Sequence, residues 1–142
     1  MVSTLQQLLE SARALSPSQP GWLLEASLLS EEIADSIVSN AGYLDVLRRA
    51  VTDAAAANAC DWIIGAGSNA ERVVADLSTG VDKPSRVLVF ELVRVTGSTF
   101  RQAQERLRDV EVVPAVLLNL QDGHHADHGP EPLGKLEELL SG

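Results

Sequence analysis

The segment Glu91-Leu92-Val93-Arg94-Val95-Thr96-Gly97-Ser98-Thr99 holds the densest set of anion-binding groups in the chain. It follows the apolar run Val87 to Phe90 and precedes Phe100, Ala103 and Leu107, which keep helical spacing. A loop that opens a helix presents backbone N–H groups without helical partners, and these suit a phosphate. Gly97 lets the backbone approach the anion closely. Thr96, Ser98 and Thr99 add hydroxyl donors, and Arg94 adds charge. An ordinary strand-to-helix loop with a Ser/Thr cap has the same composition, so the residue types alone define a candidate only. A second turn, Gly65-Ala66-Gly67-Ser68-Asn69, follows the apolar run Trp62-Ile63-Ile64 and also leads into a helical stripe.

The elements that must hold these turns are legible from periodicity. Leu5, Leu8, Leu9 and Ala12 predict a first helix, with Ser3 and Gln6 spaced as a capping box. The Pro- and Gly-bearing stretch 16–21 ends it. Ser30 to Ile37 reads locally as a short helix, and Leu44 to Asn58 as a long, alanine-rich one. Ala70, Val73, Val74 and Leu77 predict a helix, and Val112 to Leu120 a third strand, where Pro114 implies an edge or a bulge. Continuous apolar strands alternating with helices predict an α/β fold, a mainly parallel sheet with helices on both faces in three α/β/α layers. Ligands in such sheets bind at the carboxyl ends of the strands, here 65–69, 91–99 and 121–128. The 142 residues are read as one domain: an N-terminal region and long helix over 1–58, a parallel core over 59–121, and a polar loop and tail over 122–142.

These motifs resemble the type I phosphoribosyltransferases, most of all the orotate-specific branch. In that family an apolar strand leads into two acids, a hydrophobic pair and Thr-Thr-Gly-x-Thr/Ser. Glu91 matches the first acid, Thr96, Gly97 and Thr99 match the loop, and Ser98 is tolerable. Leu92 stands at the second acid, Arg94 at an apolar position and Val95 at the first Thr. The resemblance implies a 5′-phosphate site at Arg94, Thr96, Gly97, Ser98 and Thr99, and a ribose contact at Glu91. It also implies a pyrophosphate turn at Ala66, Gly67, Ser68 and Asn69. It would make part of Ile33 to Ser39 a strand, and it implies a homodimer paired through the sheet flank and the N-terminal region, where Trp22 to Leu29 is apolar. Orotate enzymes place a mobile, lysine-bearing loop before the strand matching Val87 to Phe90. Here that gap is only Ser78 to Arg86, with Lys83 its one lysine. The implied protein is therefore a nucleotide- or phosphoribosyl-binding member without transferase activity and with no catalytic residues. A divergent active transferase, with Glu91 alone on the ribose and magnesium as cofactor, is the alternative, and an interaction scaffold is a third reading.

Other chemistries are weaker. Gly65-x-Gly67-x-x-Ala70 between a strand and a helix, with Glu91 ending the next strand, also fits a dinucleotide fingerprint, but leaves Thr96 to Thr99 without a role. His124, His125 and His128, with Asp122 and Asp127, have metal-ligand types, yet a Gly/Pro-flanked loop without a partner cysteine reads as solvated, so no metal site is assigned. Cys60, the single cysteine, reads as a core filler. The net charge of −9, with only Lys83 and Lys135 as lysines, argues against nucleic acid and anionic membranes as partners. With no signal pattern at Met1 to Ser11 and no bilayer-length apolar run, the expected location is cytoplasmic.

Overall fold

The computed structural model describes residues 5–15, 18–75, 77, 83–94 and 98–119. The helices are α1 (Leu5–Arg13), α2 (Trp22–Val38), α3 (Ala41–Ala57), α4 (Ser68–Val74) and α5 (Ser98–Arg106). The strands are β1 (Trp62–Gly65), β2 (Arg86–Arg94) and β3 (Glu111–Asn119). All three strands are parallel, in the order β1-β2-β3. No helix among the described residues is long and apolar enough to cross a membrane.

The strand β2 is buried from Val87 to Arg94, with β3 along its whole length and β1 beside Val87 to Phe90. Ile63, Leu88, Phe90 and Leu92 join a core that includes buried residues of α1, α2, α3 and α4. Val87 and Val89 face the opposite way and pack with Trp62, Ile64, Phe100 and Ala103 of α5, and Leu107 just beyond it. The α/β expectation, with helices on both faces of a parallel sheet, therefore holds. Pro114 lies in β3, the outer strand beyond β2, where a missing N–H is tolerated.

Two expectations are corrected. Trp22 to Val38 forms one continuous helix, so the strand implied by resemblance within Ile33 to Ser39 is not formed. Its inner face, with Ala26, Ile33, Ala34 and Ile37 buried, keeps the 3.6-residue period that a half-buried strand would lack. The second correction concerns the end of β2. Glu91 to Arg94 continues the strand and is buried, rather than beginning a loop.

The amino ends of the strands are tied by a polar network. The Asp61 carboxylate accepts hydrogen bonds from the Ser85 N–H (3.0 Å), the Ser85 hydroxyl (3.1 Å) and the Arg86 N–H (3.2 Å). The Ser85 N–H bond is the main cause that holds this carboxyl below its ordinary range. Arg86 donates to Glu111 Oε2 from Nε (3.0 Å) and Nη2 (2.8 Å), and from Nη1 to the Asn58 carbonyl (2.7 Å). One residue at the end of α3 is thereby linked to β2 and β3.

The path from α3 into β1 is a Schellman turn. Cys60 N–H donates to the Ala55 carbonyl (2.8 Å) and Ala59 N–H to that of Ala56 (3.1 Å). Ala59 takes φ +55°, a left-handed position that glycine usually occupies. At the far end of β1 the demand is reversed. A Cβ on Gly65 would lie 2.6 Å from the Glu71 nitrogen and 2.7 Å from the Ala70 carbonyl carbon, so α4 packs where only glycine leaves room. Ala59→Gly is expected to stabilise the chain by about 0.5–1 kcal/mol, the left-handed strain relieved less the added freedom of the unfolded chain. Gly65→Ala is expected to destabilise it by about 1–3 kcal/mol through overpacking against backbone. Urea unfolding of the two variants beside wild type checks both signs.

Candidate functional site

At the carboxyl ends of β1 and β2 lies a cavity of about 190 Å³ lined by the turn Ala66-Gly67-Ser68-Asn69, by Glu91 to Val93, and by Thr99 and Ser30. The two turns that the sequence singles out thus meet at one place, although more than twenty residues separate them in the chain. Gly67 makes the approach possible. It takes φ +92°, and a Cβ there would stand 3.2 Å from Thr99 Cγ2. Ser68, Ser98 and Thr99 are exposed at this end, and Asn69 is half-buried.

Ser30 was not singled out as a site residue from the sequence. It reaches the cavity because α2 is one long helix lying over α4, and its Oγ accepts a long hydrogen bond from Asn69 Nδ2 at 3.4 Å. A single hydroxyl inside an amphipathic helix carries no local signal of such a role.

The charged groups are arranged differently from what the sequence suggests. Arg94 is absent from the cavity lining. Its Nε donates to Glu91 Oε1 at 2.8 Å, both side chains only 6% exposed, and its guanidinium lies 4.7 Å from the Phe100 ring centroid. Side chains three apart in a regular strand face opposite ways. Here the alternation slips between Leu92 and Val93, which both join the α1–α4 core, and Arg94 comes round to the side of Glu91. The Glu91 carboxyl is raised above the ordinary carboxylate range, because burial outweighs the opposing hydrogen bond and charge of Arg94.

The donors here do not fit magnesium. Among the described residues lining the cavity, Glu91 is the one carboxylate, it is engaged by Arg94, and Leu92 is a core residue. No group of three or more potential metal ligands occurs among the described residues. Thr96 and Gly97, expected to bind phosphate, and His124, His125 and His128 lie outside the described residues. Cys60 is half-buried, and burial is the main cause that raises its thiol. No family model, no curated protein and no solved structure matches the chain.

The raised Glu91 fixes the expected behaviour of the pair. An ionised Glu91 without Arg94 is a buried, uncompensated charge that can take up a proton, whereas a guanidinium left without Glu91 cannot lose one. Arg94→Met is expected to cost up to about 3–5 kcal/mol at neutral pH, and Glu91→Gln a comparable amount. Adding Glu91→Gln to Arg94→Met recovers most of the loss. A carboxyl whose folded pKa exceeds its unfolded one penalises folding above the ordinary range, and the penalty vanishes as pH falls below it. The deficit of Arg94→Met therefore shrinks in mild acid, while that of the double variant stays flat. Denaturant titrations across this pH range measure both.

Proposed function

We propose that the chain is a phosphoribosyltransferase-like binding protein that takes a phosphorylated ribose or nucleotide and does not transfer it. The observation that carries this reading is the convergence of Gly67 to Asn69, Glu91 and Thr99 on one cavity at the carboxyl ends of adjacent parallel strands. Backbone groups and hydroxyls from Ser68, Ser98 and Thr99 supply donors to a phosphate, and Glu91 supplies an acceptor to a sugar hydroxyl. The absence of turnover follows from three features. Glu91 is shared with Arg94, Leu92 takes the place of a second acid, and only residues 75–85 separate α4 from β2. A closing loop that expels water and places charge on a leaving pyrophosphate needs more chain than that.

A dinucleotide-binding reading draws on Gly65 and Gly67, whose close helix approach and positive φ are the roles that fingerprint glycines play. Size favours the first reading. A cavity of about 190 Å³ is below the roughly 300–1,000 Å³ of pockets for drug-sized ligands. It suits a sugar phosphate better than a whole dinucleotide.

Thermal-shift titration with ribose 5-phosphate, phosphoribosyl pyrophosphate, nucleoside monophosphates and NAD tests this. Saturation at about a hundred times Kd adds about 2.7 kcal/mol, a rise of several degrees in a chain of this size. Ribose 5-phosphate should shift the midpoint where ribose does not. Thr99→Val should weaken binding and Gly67→Val abolish it. With orotate, phosphoribosyl pyrophosphate and magnesium, turnover should stay far below the ordinary enzyme rate of about 1 per second. A shift with NAD alone would favour the dinucleotide reading, and no shift with any ligand would favour a scaffold.

Self-association belongs to the same proposal. Leu23, Leu24 and Leu28 of α2 are 50%, 66% and 53% exposed, an apolar patch on the outer side of that helix. Light scattering should give a dimer for wild type and a monomer for Leu24→Lys/Leu28→Lys.

A further inference from the structure

The helix α5 has little apolar surface of its own to hold it against the sheet. Of its nine residues, Ala103 is buried, Phe100 is half-buried and the others are exposed. A helix packed by so small a face shifts easily unless another contact fixes its end. Yet its first turn has to be placed closely. A Cβ on Gly67 would stand 3.2 Å from Thr99 Cγ2, and Thr99 forms one wall of the cavity of about 190 Å³.

Arg94 is placed to supply that contact. It ends β2, and its guanidinium lies 4.7 Å from the centroid of the Phe100 ring, the residue that follows Thr99. From the strand side, Glu91 Oε1 accepts a hydrogen bond from its Nε at 2.8 Å. Glu91 belongs to β2 and Phe100 to α5, so one planar group bridges sheet and helix. Both side chains of the ion pair are 6% exposed, and attraction between a cation and an aromatic face is strongest when the cation is desolvated. A guanidinium can hold a carboxylate with its edge and a ring with its face, which the compact ammonium of lysine cannot do. The same geometry takes Arg94 away from any ligand. It does not line the cavity, and its charge answers Glu91 rather than an anion bound there.

We infer that Arg94 is a positioning residue for the cavity: held by Glu91 and stacked on Phe100, it sets the first turn of α5 so that Thr99 meets the Gly67 turn. The width of the cavity then depends on two residues, Arg94 and Phe100, that do not line it. A replacement that keeps the charge but loses the plane, or keeps apolar bulk but loses the ring, lets the first turn of α5 move and the cavity widen. The consequence for a ligand rests on the phosphoribosyl reading given above. The consequence for the Gly67–Thr99 contact does not.

Nuclear Overhauser effects between the Thr99 methyl group and the Gly67 α protons, measured on the full chain without ligand, report that contact. They should be present in wild type and in Phe100→Tyr, which keeps the ring. They should be lost in Phe100→Leu, and in Arg94→Lys, which keeps a charge beside Glu91. The dispersion of each variant's amide spectrum shows that it is folded. In titrations with ribose 5-phosphate, Arg94→Lys and Phe100→Leu should each weaken binding by about tenfold, and the double variant by no more than either alone, because both break one contact. A guanidinium in direct contact with phosphate gives another pattern, with Arg94→Lys mild and Phe100→Leu without effect, and that result overturns the inference. Persistence of the Gly67–Thr99 contact in Arg94→Lys also overturns it, whatever Phe100→Leu does, since Phe100 packs with Val87 and Val89 as well. If wild type binds no phosphorylated sugar, the ligand reading falls, and the Gly67–Thr99 contact alone decides the role of Arg94.

Discussion

The constraint on which the structure depends is the complete burial of β2. Val87 to Arg94 is buried throughout, with strands on both edges as far as Phe90, so every polar atom that enters this segment must find its partner inside the protein. The apolar residues satisfy this by facing two separate cores. Glu91 and Arg94 satisfy it by meeting each other, at the expense of the regular alternation of the strand. The site inherits the result. A carboxylate and a guanidinium that would be independent ligand contacts in a loop become one neutralised unit in a strand, and the cavity is left with hydroxyls and backbone groups as its principal donors.

Burial of β2 also explains the division of labour among helices. Among the described residues, four helices cover one face and α5 the other. The close packing of α4 on β1 requires Gly65, and the meeting of the two turns requires Gly67. The first permits a helix to approach a strand. The second brings two turns within contact of each other. One glycine-rich turn thus serves packing at its first position and the site at its third.

Much of this was legible in the sequence, for physical reasons that also mark where legibility ends. The stripes Leu5-Leu8-Leu9-Ala12 and Ala70-Val73-Val74 are buried as their periodicity predicts, and Trp62 to Ile64 and Val87 to Phe90 are strands. The convergence of the two turns followed from the parallel sheet, which places successive strand ends side by side. The end of β2 was misread because Glu91 and Arg94 look like loop residues until their mutual pairing is known. Spacing in sequence does not reveal such a pair, since residues three apart in a strand normally diverge. The extent of α2 was obscured by Leu23, Leu24 and Leu28, which blur its amphipathic pattern by lying outside the core. Ser30 had no signal at all, since its place at the cavity comes from the packing of α2 on α4.

The polar network of Asp61, Ser85, Arg86 and Glu111 sits at the opposite end of the strands from the Gly67–Thr99 cavity. This separation has an evolutionary meaning. Substitutions at exposed cavity positions such as Ser68 and Thr99 fall away from the network that joins the strands and leave it intact. A lineage can therefore change the lining of this cavity without passing through unfolded ancestors. The amino-terminal end of the sheet keeps the heritable scaffold, and the carboxyl-terminal end is the ground on which selection can experiment.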